Sequence, residues 1–152
     1  MLFKQTIYRL IHPVRKFYWF VAKPTTRGVK VLLEYNHQYL MIQNTYGKPY
    51  WTFPGGGVRR SETPAEAAIR EVKEEVGITI ASPQLLGTYD SRFEHKRDTV
   101  YCFYTPLLHP NFVIDQDEIS TAQWWPTTQL PSFQSPAVEK VIHLKALTKS
   151  AH

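Results

Sequence analysis

Apolar residues return at helical spacing most clearly between positions 65 and 76. Ala65, Ala68, Ile69, Val72 and Val76 fall on one side of a helix turning about 100° per residue, a core-facing stripe. Thr63 suits the N-cap, Pro64 the first helical position and Glu66 the reciprocal place in a capping box, while Gly77 suits the left-handed residue that ends the helix. Ahead of it, Val29 to Tyr35 and Tyr39 to Gln43 read as paired strands, and 44–50 as a loop carrying Gly47 and Pro49. Beyond it, Leu85 to Asp90 and Thr99 to Leu107 are rich in aromatic and β-branched residues. Glu118 to Trp125 reads as a further strand stopped by Pro126, and Ala137 to Leu147 has helical spacing through Val138, Val141, Ile142 and Ala146. This order predicts an α/β fold with helices on both sides of a mixed sheet.

The first 23 residues fit no such pattern. Leu2, Phe3, Ile7, Leu10 and the run from Phe17 to Val21 are interrupted by Lys4, Arg9, Arg15 and Lys16, too often for a membrane span, and no signal-peptide core is visible. Residues 1–27 are therefore read as a basic, aromatic extension. It would pack on the domain or on a second copy in a homodimer; peripheral membrane contact through residues 1–23 and nucleic-acid contact are the alternatives. Residues 28–152 then form one domain. The whole chain is 43% hydrophobic, which suits a globular protein. A single cysteine, Cys102, excludes an intrachain disulfide framework and suits a reducing, cytoplasmic setting.

Charge narrows the chemistry. Residues 1–30 hold seven Lys or Arg and no acid, while 62–75 hold five Glu against Arg70 and Lys73. Three of those glutamates, Glu71, Glu74 and Glu75, occupy i, i+3 and i+4 of the central helix, where like charges repel by about 0.2–0.5 kcal/mol per pair. They are expected on the side opposite the apolar stripe, beside Ala67 as a small residue that leaves room for a ligand. Arg70, one turn before Glu74, can pair with it. On these letters alone a solvated acidic face on an ordinary amphipathic helix is the stronger reading, and a cation that neutralises the cluster is the alternative. Hard carboxylate oxygens favour Mg²⁺, or Mn²⁺, over zinc.

The wider spacing is more specific. From Gly56 the chain runs G-x5-E-x7-R-E-V-K-E-E-V-G-I, with Glu62 and Arg70 at fixed places, and Trp51-Thr52-Phe53-Pro54-Gly55-Gly56-Gly57-Val58 leads into it. Residues 56–78 resemble the Nudix box at every fixed position. Neither a dinucleotide fingerprint nor a P-loop fits the same glycines. The resemblance implies an α/β/α Nudix sandwich over roughly 28–147 and a metal-dependent hydrolase of diphosphates. It implies Glu71, Glu74 and Glu75 as metal ligands with the Gly56 backbone carbonyl, and Arg70, Glu62 and Gly77 as support. Glu71 can also orient or deprotonate water. Glu118, in Asp117-Glu118-Ile119 before Trp124-Trp125, resembles the acidic residue that some members use as base or extra ligand.

The substrate is expected to be a phosphorylated small molecule: a nucleoside diphosphate linked to another moiety, or a nucleoside triphosphate. Lys48, Arg59, Arg60, Arg92, Lys96 and Arg97 are loop cations that could contact phosphates, though such charges are more often only solvated, and Tyr46, Tyr50 and Trp51 either stack on a base or cover the core edge. The accessory patterns that mark ADP-ribose, coenzyme A and NADH hydrolases are absent. Other readings are removal of a 5′ diphosphate from RNA, hydrolysis of a lipid-linked diphosphate at a membrane surface, and a non-catalytic nucleotide sensor, although the chain has no room for a DNA-binding domain.

Overall fold

The computed structural model describes residues 25–93 and 96–150, which form one mixed five-stranded sheet between two helices. The strands are β1 (Thr25–Tyr35), β2 (Gln38–Asn44), β3 (Gln84–Phe93), β4 (Lys96–Pro106) and β5 (Ile119–Pro126), in the order β3-β4-β1-β2-β5. β1 and β4 run parallel from Thr25↔Arg97 to Glu34↔Pro106, and the other neighbours are antiparallel. α1 (Pro64–Val76) covers one face and α2 (Pro136–Ser150) the other. β1 begins at Thr25, so the sheet starts inside the segment read as an extension, whose first 24 residues lie outside the described region. Arg92, Lys96 and Arg97, expected in loops, have strand backbones.

Period-two alternation sorts the core. Val29, Val31, Leu33, Leu40, Ile42 and Phe103 face α1, where Ala67, Ala68, Val72 and Val76 meet them. Leu32, Tyr39, Met41, Val100 and Cys102 face α2 and pack on Val138 and Val141. Val72 and Val76 are wholly buried, each stabilising the docking of α1 by about 1.5–3 kcal/mol.

The pairing of β1 with β2 differs from the simple hairpin that the sequence suggests. A two-residue turn with positive φ at Asn36 (45°) and His37 (57°) joins them, but ladder partners are confined to Glu34↔Tyr39 and Tyr35↔Gln38. Further out the strands fork, and residues 51–58 fill the gap. Thr52 pairs with Ile42 of β2, whereas Val29 N–H donates to the Gly56 carbonyl, Val31 N–H to that of Pro54, and Val58 N–H to that of Arg27. The glycine segment is thus wedged into the sheet.

The carboxylate helix also departs from expectation. Ala67 is in the core, and Glu71 and Glu75 are buried at 9% and 6% exposure. At 100° per residue they lie next to Ala67, Ala68 and Val72, not opposite them, so the apolar stripe and the acidic edge adjoin.

Candidate active site

α1 starts as its sequence dictates. The Thr63 hydroxyl accepts from Glu66 N–H at 3.2 Å, the Glu66 carboxylate accepts from Thr63 N–H at 2.7 Å, and Gly77 closes the helix at φ 69°. These caps fix the phase at which the glutamates leave the helix.

Arg70 organises the cluster. Its Nε and Nη2 donate to the two Glu62 oxygens at 3.0 and 2.6 Å, Nη1 donates to Glu71 Oε1 at 2.7 Å and Glu74 Oε2 at 3.0 Å, and Nη2 also donates to the Gly57 carbonyl at 2.9 Å. One guanidinium therefore ties the glycine segment, the turn before α1 and two glutamates of α1 together. It holds the Glu62 carboxyl down at about 2, chiefly through that bidentate bond, and its own pKa is raised.

Glu71 and Glu75 meet the glycine segment directly. Gly55 N–H donates to Glu75 Oε2 at 2.8 Å. Gly56 has its Cα against the Glu71 carboxylate, and a Cβ there would lie 2.5 Å from Oε1. Burial pushes the Glu75 carboxyl up to about 7; Lys30 and the Gly55 N–H oppose this, while the negative charges of Glu71 and Glu118 add to it. Glu118 is exposed on the segment before β5. That segment is tied to the end of α1 by Val113 N–H to the Val76 carbonyl at 2.9 Å and Asp115 N–H to the Glu75 carbonyl at 3.1 Å. The Gly56 carbonyl, expected to face a metal, uses one lone pair on Val29 N–H.

The remaining expected contacts fall into two groups. Arg59 and Arg60 are exposed on the turn before α1, where Arg59 reaches Glu74 Oε1 at 3.3 Å. Lys48 lies 5.8 Å above the Tyr50 ring, and Tyr50 leans on Phe133 at 4.5 Å. Beside them Trp51 meets Trp125 edge-on at 5.4 Å, and both line a cavity of about 430 Å³ with Leu130 and Phe133. A recess of about 490 Å³ near the C-terminal end of α1 has no carboxylate in its lining, so it is not where the acidic cluster acts.

Lys30 is a residue of this site that the sequence does not single out. It is partly exposed overall, but its ammonium is enclosed and donates to the Phe53 carbonyl at 2.8 Å. Burial lowers its pKa, against the opposing pull of Glu75, Glu71 and Cys102. The available signal is one lysine inside Val29-Lys30-Val31-Leu32-Leu33, an otherwise apolar strand.

The donor set fits a hard divalent cation. As the side chains stand, no three acidic, imidazole or thiol groups among the described residues close on one point, because Arg70 occupies the place between Glu71 and Glu74. Two buried carboxylates nonetheless meet at a glycine pair with no Cβ in the way, and Glu75 is destabilised as an anion first by burial and then by the charges of Glu71 and Glu118. Such a group of oxygens suits Mg²⁺ or Mn²⁺.

Comparison with known proteins agrees with this architecture. A family model described as the NUDIX domain matches residues 24–145. A Bacillus subtilis (strain 168) protein, provisionally named an 8-oxo-dGTP diphosphatase, is 28% identical over 119 residues, covering 78% of each chain. An RNA pyrophosphohydrolase of Vibrio atlanticus is 37% identical over 61 residues, which are 40% of this chain and 36% of that protein, so the match spans about a third of its length. The crystal structure of a MutT NUDIX hydrolase from Burkholderia pseudomallei superposes with a TM-score of 0.73 at 19% identity, covering 80% of this chain and 98% of that one.

Proposed function

The chain belongs to the NUDIX family of hydrolases, and from that membership we propose that it cleaves the P–O–P link of a nucleoside diphosphate joined to another moiety, or of a nucleoside triphosphate. The observation that carries this reading is the meeting of Glu71 and Glu75 at Gly55 and Gly56, under the grip of Arg70. A divalent cation held by Glu71, Glu74 and Glu75 would neutralise the diphosphate and make a bound water more acidic.

The chain's own residues supply the rest. Arg70 holds Glu71 and Glu74 from one nitrogen, so a cation shared by these carboxylates would take up the oxygens that Arg70 now pairs, with the guanidinium kept close by its bidentate bond to Glu62. Glu118, within electrostatic reach of Glu75 and open to solvent, is suited to accept the proton of the attacking water, with Glu71 as the other candidate base. Arg59 and Arg60 line the approach for phosphate oxygens. The recess of Trp51, Trp125 and Phe133 favours a substrate with a flat aromatic group.

The test is release of phosphate or nucleoside monophosphate from a panel of nucleotides and nucleotide conjugates, with Mg²⁺, with Mn²⁺ and with chelator, for the native chain and Glu74→Gln. Metal-dependent turnover lost in the variant is expected. Nucleotide binding without turnover of any compound would overturn catalysis in favour of a sensor. The resemblance to an RNA pyrophosphohydrolase favours a second reading, for which the panel includes 5′-triphosphorylated RNA.

A further inference from the structure

Three consecutive residues of β1 hold the glycine segment. Val29 N–H donates to the Gly56 carbonyl at 2.9 Å, Val31 N–H donates to the Pro54 carbonyl at 2.9 Å, and between them Lys30 Nζ donates to the Phe53 carbonyl at 2.8 Å. The first two bonds are ordinary strand pairing. The third is made by a side chain, and it fixes the one carbonyl of this stretch where the segment bends from β2 toward β1. Gly55 follows immediately, packed so closely that a Cβ would lie 2.1 Å from the Val29 carbonyl oxygen, and its N–H carries the bond to Glu75. A shift at Phe53 therefore moves the donor that orients Glu75.

An enclosed ammonium is a costly way to fill this space. Desolvation opposes it, and an apolar side chain of similar size would pack there without that cost. The lysine is compensated by the Phe53 carbonyl and by the field of Glu75 and Glu71. We propose that Lys30 is a positioning residue: through the Phe53 carbonyl it sets the place of Gly55, hence of the Glu75 carboxylate, and so the affinity of the site for a divalent cation. This rests on the metal-dependent reading given above.

Mn²⁺ binding to the full chain without substrate, followed by the electron paramagnetic resonance of free Mn²⁺, tests the proposal apart from turnover. Lys30→Met should weaken Mn²⁺ binding by about tenfold or more, the usual effect of removing a group that orients a ligand. Lys30→Arg and Lys30→Gln, which keep a donor for the Phe53 carbonyl, should stay within about fivefold of the native chain. Mn²⁺ binding by Lys30→Met within that range overturns the proposal, as does an equal loss in Lys30→Gln, which would assign the effect to charge alone. If Lys30→Met does not fold, the other two decide, and a loss beyond about fivefold in either overturns it. A native chain that binds no Mn²⁺ overturns the metal-dependent reading instead.

Discussion

Gly56 presents its bare Cα to the Glu71 carboxylate, where a Cβ would stand 2.5 Å from Oε1 and 2.6 Å from Cδ. No rotation of a methyl group relieves that overlap, so the carboxylate must move. Gly56→Ala is expected to lower kcat/KM by about 100-fold, the cost typical of displacing a working group by about 1 Å. Gly57→Ala is the matched control: a Cβ there meets nothing within 4 Å and Gly57 has no positive φ, so activity should hold within about twofold. Steady-state kinetics on the two variants checks both.

Arg70 satisfies Glu62, Glu71, Glu74 and the Gly57 carbonyl at once, from a side chain only 16% exposed. Arg70→Ala leaves several of these acceptors without a donor and is expected to destabilise the fold by about 1–3 kcal/mol in urea unfolding. Arg70→Lys keeps the charge but loses the fork, so it should recover only part of that stability.

Glu62 gives a pH prediction of definite sign. Its carboxyl is held at about 2 in the folded chain, against 4.5 ordinarily, first by the Arg70 side-chain bond and then by the Arg59 N–H and the two guanidinium charges. A depressed acid contributes stability that is complete above about pH 4.5 and is lost as pH falls through about 2. Urea midpoints across that window should fall less steeply for Glu62→Gln than for the native chain.

Cys102 is buried on the α2 face of β4, and burial pushes its thiol up to about 12. Thiolate is the reactive form, so a maleimide should leave the folded chain unlabelled at pH 8 and label it fully in denaturant, read by mass spectrometry.

The two ends of α1 are legible in the sequence because caps are local. Thr63, Glu66 and Gly77 act through neighbours three or four residues away, and all three sit as their types require. The sandwich is legible for the same reason, since alternation in β1, β2 and β4 assigns residues to faces. What the sequence does not reveal is long-range: Lys30 and Phe53 are 23 residues apart, and no periodicity links a lysine to a carbonyl. The burial of Glu71 and Glu75 does not follow from their polarity, because a helix sorts its residues by angle. Two carboxylates beside the apolar stripe are carried under the loop along with it.

The forked hairpin has a consequence for how the chain acquires its structure. Its turn closes locally, so β1 and β2 can meet early, and nothing in a two-residue turn stops them from zipping along their whole length. A fully zipped hairpin would exclude residues 51–58 and leave a compact chain with its carboxylates unassembled. In the folded chain the glycine segment holds that place instead, bonded to β1 and β2, with α1 docked on the same sheet. Amide exchange at Val29 and Val31, whose protons bond to Gly56 and Pro54, therefore reports on the seating of the glycine segment separately from the rest of the sheet.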